Sequence, residues 1–299
     1  MHKCQLYGHR IDSDIPLDGG EDGEFLNGVE QPLRLTRTIT SRLDRCLPAV
    51  GAPVETHGRV MILRSESDKR LVDYRGSWSL EVEGVVVFGG TGELNQILYA
   101  PLPSTHQDIV EFWFIHHVLP LYLSFMKGWK LLHASSVEKD GESMLFFAPS
   151  HGGKSTLAEY FVCRGHNLVS DDKVVVGLED DCLFSHISHS RYRPYRRYED
   201  LGKQARKPGA AKLPIGTLFC LQPIAEQLDV TAGLMAKRDA FKVVQDACLF
   251  ADGTHDIATL KLLGALASKV TMYRLFVPGN KEKLPQVYEQ VLSLVSKQR

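Results

Sequence analysis

The chain has almost no net charge. Its 35 Lys and Arg stand against 36 Asp and Glu, which leaves a formal −1 at pH 7. No global basic field therefore recommends nucleic acid or an acidic membrane as partner, and a ligand has to be held by a local site. Cysteine is sparse and scattered: Cys4, Cys46, Cys163, Cys182, Cys220 and Cys248 show no C-x-x-C spacing, which fits a reduced compartment. Long apolar runs are missing. The longest, Phe112 to Phe125, is broken by His116, His117 and Pro120 and falls short of the roughly 20 residues a bilayer needs, so it reads as a core helix. The opening MHKCQLYGHRIDSD lacks the apolar region of a signal peptide, so the expected localisation is cytoplasmic. Internal repeats and low-complexity tracts are absent. What remains is ordinary folded composition, 299 residues of which 43% are hydrophobic and 24% charged, sufficient for one large core or two modest ones.

Residues 1 to about 100 alternate apolar and polar positions in short runs, Val60–Leu63, Ser79–Val82 and Val85–Phe88, between Gly, Pro and Asp clusters such as the one starting at Leu17. The pattern predicts a β-rich N-terminal region over 1–105. A connecting helix over 106–130 follows, apolar at helical spacing from Gln107 to Met126, with Ser104 or Thr105 as N-cap. From residue 131 to 299 strand and helix patterns alternate, so the expected fold class is α/β. There the chain reads strand, turn at Asp140-Gly141, strand Ser143–Phe147, glycine loop, helix Lys154–Arg164 and strand Asn167–Ser170. Further strands are expected at Leu218–Gln222 and Thr271–Val277, and helices at Lys237–Phe250, Asp256–Lys269 and from Lys281.

The glycine loop carries the most information. Ala148 to Ser155 fits the relaxed phosphate-loop form [AG]-x-x-x-x-G-K-[ST], entered by an apolar strand and left by an amphipathic helix. Gly152 and Gly153 let the backbone turn and present successive N–H groups, Lys154 reaches terminal phosphates, and the Ser155 hydroxyl can bind Mg²⁺. Ser150, His151 and Thr156 complete the expected nucleotide-binding stretch. Seventeen residues after Lys154, Asp171 and Asp172 end a strand, where open α/β sheets gather ligand groups. One carboxylate can hold Mg²⁺ and the other can take a proton from an attacking hydroxyl. A base aimed at water gives an NTPase and one aimed at a substrate hydroxyl gives a kinase; the pattern alone leaves both open.

Three blocks in order, Leu132-His133-Ala134, Ala148–Thr156 and Arg164-Gly165-His166-Asn167-Leu168-Val169-Ser170-Asp171-Asp172, resemble the bacterial HPr kinase/phosphorylase family over about 45 of 299 residues. The resemblance implies a phosphate-loop kinase domain with a phosphoenolpyruvate-carboxykinase-like site for ATP and Mg²⁺. It implies Lys154 and His133 near the phosphates, Asp171 as base toward a serine hydroxyl, and Ser155 with Asp172 at the metal. A second, E-I-R-G-L-G-like signature of that family has no counterpart between Gly177 and Pro223, so HPr as substrate and the reverse phosphorylase reaction are not carried over. The segment Leu6–Leu17, with Trp78 and Glu81-Val-Glu-Gly, looks like the front half of family members that tailor peptides, similar in layout to kinases of lasso-peptide precursors. That resemblance implies a peptide serine as acceptor. A small hydroxyl substrate such as free serine, and a nucleotide-binding sensor without transferase activity, stay as alternatives; a homo-oligomer is compatible with the sequence.

From Arg191 to Lys212 eight basic residues face only Glu199 and Asp200, with Tyr192, Tyr195 and Tyr198 interleaved. The segment reads equally as a surface that stacks a base or flanks a peptide and as a solvated loop. His186 and His189 lack further ligands at zinc spacing and read as a polar loop. His116 and His117, adjacent on a helix and so on different faces, read as structural or rim positions.

Overall fold

The computed structural model describes residues 1–7, 9–17, 31–38, 43, 49, 53–56, 58–65, 77–91, 95–126, 129–189, 191–192, 199–206, 208–226, 228–249 and 257–297. Most of the Gly- and Asp-rich cluster after Leu17, and Arg193, Tyr195, Arg196, Arg197, Tyr198 and Lys207 of the basic segment, lie outside the described residues. The chain divides into two units. Unit 1 is Met1–Trp129 with Tyr195–Gly202, and unit 2 is Lys130–Pro194 with Lys203–Arg299.

Unit 1 holds strands β1 (His2–Leu6), β2 (His9–Ser13), β3 (Leu33–Arg37), β4 (Val54–Thr56), β5 (Arg59–Ser65), β6 (Ser77–Val82), β7 (Val86–Thr91) and β8 (Gln96–Pro101). They form one sheet in the order β1-β2-β3-β8-β7-β6-β5-β4, antiparallel except where β3 runs parallel to β2 and β8. The helical run expected as a connector belongs to this unit. It comprises α1 (Gln107–Trp113), a π-helical turn (Phe114–Val118) and α2 (Leu119–Met126). Phe112, Trp113, Phe114 and Leu119 are fully buried, and the Phe114 ring lies 6.4 Å from that of Phe88. A helix apolar on nearly every side has to pack, which is why it does not serve as a free linker. The π turn precedes Pro120, whose missing N–H and bulky ring cannot be accommodated by a regular turn; the Leu119 N–H reaches back to the Phe114 carbonyl instead. The N-cap is His106, whose Nδ1 accepts from the Asp108 N–H, rather than Ser104 or Thr105. Glu199 accepts from Arg59 at 3.1 and 3.2 Å and from the Trp113 indole N–H at 2.8 Å.

Unit 2 contains β9 (Lys130–Leu132), β10 (Ala134–Lys139), β11 (Glu142–Phe147), α3 (Lys154–Cys163), β12 (Leu168–Ser170), β13 (Val174–Glu179), β14 (Cys182–His186), β15 (Arg191–Tyr192), β16 (Lys203–Gln204) and β17 (Lys212–Ile224). It continues with β18 (Thr231–Leu234), α4 (Lys237–Asp246), α5 (Ile257–Lys269), β19 (Thr271–Pro278) and α6 (Leu284–Ser296). Nine strands make a mixed sheet, β12-β10-β11-β17-β14-β13-β9, with β19 pairing both β17 and β18. At its centre β11, β17 and β19 run parallel.

Side chains of β11 alternate between two cores. Leu145 and Phe147 pack with Leu263, Leu266 and Met272, whereas Met144 and Phe146 pack with Phe161, Val287 and Val291. Helices thus cover both faces, α4 and α5 on one, α3 and α6 on the other, and a strand buried on both faces needs the near-continuous apolar run that 144–147 supplies. The turn at Asp140-Gly141 and the strand–loop–helix order lie where the sequence pattern puts them. Strand β17 is longer than its apolar stretch because its first three residues pair with β14 and the rest with β11 and β19.

Candidate active site

Register explains why residues distant in sequence meet. Strand β10 is antiparallel to both its neighbours, pairing Ala134 with Phe147 of β11 and Ser136 with Ser170 of β12. Its first residues therefore lie beside the last residues of both. His133 and Ser135, the loop after Phe147, and Asp171 and Asp172 after Ser170 come to one sheet edge by topology alone.

The loop itself has the shape of an anion cradle. Its turn is closed by the Gly152 N–H to the Pro149 carbonyl at 2.9 Å, and His151 and Gly153 take left-handed φ values of 63° and 90°. Gly153 caps α3, whose first N–H groups have no side-chain cap and so face outward as donors. A Cβ at Gly152 would lie 2.6 Å from the Ala148 Cβ and 2.9 Å from the Pro149 oxygen. Both glycines are demanded by geometry, one for space and one for φ. Ser150 and His151 are exposed at the tip of this turn.

Lys154 is 6% exposed, its ammonium turned along the loop to donate to the Ala148 carbonyl at 2.8 Å and the Pro149 carbonyl at 3.2 Å. It also lies 3.1 Å from His133 Nε2. An ammonium only donates, so Nε2 accepts and the His133 proton sits on Nδ1. That N–H faces the Asp172 carbonyl at 3.2 Å and its carboxylate at 3.4 Å. Asp172, 8% exposed and at φ 76°, meets Lys173 Nζ at 2.9 Å with its other oxygen. Lys173, Asp172, His133 and Lys154 thus form one continuous polar chain.

Asp171 is 3% exposed and differently placed. Its Oδ1 accepts from Ser135 at 2.6 Å and from Ser155 at 2.8 Å. Each hydrogen bond to a charged group contributes about 1.5–3 kcal/mol, against a burial cost of several kcal/mol for the carboxylate. Two donors therefore roughly offset the cost. Of the two residues expected at the metal, Ser155 donates to the carboxylate of Asp171, while the carboxylate of Asp172 meets His133 and Lys173. The backbone changes hand between them: Asp171 directly follows β12, and Asp172 takes a left-handed φ of 76°.

Beside the loop a cleft of about 190 Å³ opens at the C-terminal ends of β17 and β19. Gly152, Gly153 and Thr156 form its loop side, and Leu221, Pro223, Val277 and Pro278 form the opposite wall. The residues of that opposite wall, and Ser135 and Lys173, are absent from the expected site. Ser135 and Lys173 adjoin the motif residues, but the cleft residues carry no local signal.

The basic segment does not offer Tyr192 for stacking. That ring is buried in the core with Phe161 and Val287, and its phenol pKa is raised first by burial and then by Glu159 and Cys163. Of its cations, Lys203 pairs with Glu159 at 2.8 Å, Arg206 donates to Asn167 at 2.8 Å, and Lys212 pairs with Glu179. Among the described residues no three His, Cys, Asp or Glu side chains converge as a metal cluster, and His189 instead accepts from the Arg191 N–H. His116 is buried against Phe112. Among the described residues no helix is long and apolar enough to cross a membrane.

No protein-family model matches the chain, and no curated protein matches it in sequence. Among solved structures it is similar to the HPr(Ser) kinase/phosphatase from Coxiella burnetii, at 14% identity and a TM-score of 0.33, over 56% of this chain and 97% of that one.

Proposed function

We propose that the chain is an ATP- and Mg²⁺-dependent kinase of the HPr-kinase type that phosphorylates the serine hydroxyl of a peptide, most closely a lasso-peptide-type precursor. The observation that carries the kinase reading is the buried Asp171 carboxylate held by the Ser155 hydroxyl at the first turn of the phosphate-loop helix. The peptide acceptor rests on the sequence resemblance described above. ATP fits the loop because its tight turn, with left-handed backbone at His151 and Gly153, leads into α3, whose first N–H groups carry no side-chain cap. Mg²⁺ fits because Ser155 and Asp171 present the hard oxygen donors it selects. When bound, the cation neutralises charge on the β- and γ-phosphates.

The protein's own groups then divide the work. Loop N–H groups and Lys154 hold the phosphates, and His133, oriented by Asp172, keeps the Lys154 ammonium at the mouth of the loop. Asp171 accepts the proton of the acceptor hydroxyl as that oxygen bonds to the γ-phosphorus and the bond to the β-phosphate oxygen breaks, releasing ADP. Asp172 acts through His133 and is a positioning residue.

Mass spectrometry with ATP, Mg²⁺ and a panel of serine-ending peptides, free serine and HPr tests this reading. A phosphate mass shift on peptide, lost in Lys154→Ala, is expected. Phosphorylation of free serine alone would replace the peptide with a small acceptor, and nucleotide binding without transfer to any of them would favour a sensor.

A further inference from the structure

Strand β10 buries a hydroxyl that its packing does not require. Val137, Met144 and Phe146 form an apolar face that closes against Leu157 and Phe161 of α3. Ser135 lies two residues before Val137 and pairs with Phe146 across β10 and β11, so its side chain belongs to that same face, where it is fully buried. Alanine would serve the packing there, and a buried hydroxyl costs free energy unless it is hydrogen-bonded. Ser135 Oγ donates to Asp171 Oδ1 at 2.6 Å.

The aspartate it meets already has a fixed backbone. Ser170 Oγ donates to the Lys173 carbonyl at 2.6 Å and closes the turn that carries Asp171, and β10 pairs Ser136 with Ser170 at its start. What the turn leaves open is rotation of the Asp171 side chain. Two hydroxyls from different elements converge on its Oδ1, Ser135 from β10 and Ser155 from α3 at 2.8 Å. Their duties differ. Ser155 belongs to the phosphate-loop helix, where its oxygen suits a cation, whereas Ser135 is held in a strand paired on both sides and its bond is independent of what the loop holds. Resting on the reading of Asp171 as proton acceptor, we infer that Ser135 is a positioning residue: it fixes the orientation of the Asp171 carboxylate toward the acceptor hydroxyl and touches neither nucleotide nor acceptor itself.

Transfer kinetics with Mg²⁺, ATP and the serine-ending peptide or free serine that the unaltered protein phosphorylates test this, beside calorimetric titration with inorganic tripolyphosphate. Ser135→Ala should slow transfer about 10- to 100-fold, the scale on which a misplaced reacting group acts, and leave the KM for ATP and the tripolyphosphate affinity unchanged. Ser135→Cys keeps the shape with a weak donor and should be similarly slow. Ser136→Ala removes the neighbouring buried hydroxyl, which has no hydrogen-bond partner among the described residues, and should transfer normally. Placed on Asp171→Asn, Ser135→Ala should add nothing further. Equal losses in Ser135→Ala and Ser136→Ala would reduce Ser135 to packing, and an undiminished loss on top of Asp171→Asn would show that it does not act through Asp171. Slow transfer by Asp171→Asn beside normal transfer by Ser135→Ala overturns this inference alone. Normal transfer by Asp171→Asn, or an unaltered protein that phosphorylates none of these acceptors, removes the reading beneath it and the inference as well.

Discussion

The two sides of the phosphate loop differ in kind. On one, Lys154 and Ser155 meet a hydrogen-bonded set of two carboxylates, an imidazole and a second lysine. On the other, Gly152, Gly153 and Thr156 border a cleft walled by leucine, valine and proline. The difference teaches that the flanking strands set the chemistry of each side: hydrogen-bonding groups are gathered where the ends of β10, β11 and β12 converge, and hydrocarbon where β17 and β19 end side by side. A further contrast lies within the polar side, where consecutive aspartates face opposite partners. Asp171 is met by hydroxyls and Asp172 by cationic and imidazole groups.

The largest expected effect breaks the equivalence of the two carboxylates. Asp171→Asn removes the proton acceptor and should lower the transfer rate by about 10²–10⁴-fold, while tripolyphosphate binding without divalent cation stays within reach of the unaltered protein. Single-turnover kinetics with calorimetry measures both, and normal transfer by this variant would end the assignment of Asp171 as base.

Smaller is the effect of cutting the chain that runs from Asp172 to Lys154. Asp172→Asn and His133→Ala should each weaken phosphate binding, and the double variant should be scarcely worse than either. Groups acting in series typically couple by about 0.5–3 kcal/mol. Strict additivity in a double-mutant cycle on tripolyphosphate affinity would show that Asp172 does not act through His133.

The smallest effect sharpens the distinction between the two glycines. Gly153→Ala places a side chain at φ 90° with nothing within 4 Å of its Cβ, so the penalty is backbone strain of about 1–3 kcal/mol, a fall in Tm of roughly 2–10 °C. Gly152→Ala meets the Ala148 Cβ at 2.6 Å and must deform the cradle, so its loss should show in phosphate binding beyond its change in Tm. The same ratio of binding loss to Tm change in both variants would erase the distinction.

Much of unit 2 was legible where the signal is local. An apolar run, a glycine turn and an amphipathic helix announce β11, the loop and α3, because each depends on neighbours within a few residues. Asp171 and Asp172 could be tied to the loop by their place at a strand end and by the family resemblance, but which of them meets Ser155 was not legible, since their meeting depends on β10 pairing antiparallel on both sides. Tyr192 read as a candidate stacking ring and lies in the core; two residues of strand in a polar segment carry no periodicity to reveal burial. Likewise the helical run over 107–126 read as a connector, and only its packing against β7 rings shows that it completes unit 1.

By itself, then, the sequence determined that unit 2 would be α/β and that residues 148–156 would turn from strand into helix through a glycine loop, because glycine φ freedom, apolar alternation and helix periodicity are short-range properties. Tertiary structure alone decided which aspartate stands beside Ser155, which way the His133 proton lies, and that Pro223 and Val277 share a wall. Those are outcomes of strand register and backbone handedness, which join residues across 36 and 54 positions of chain and leave no mark on the residues between.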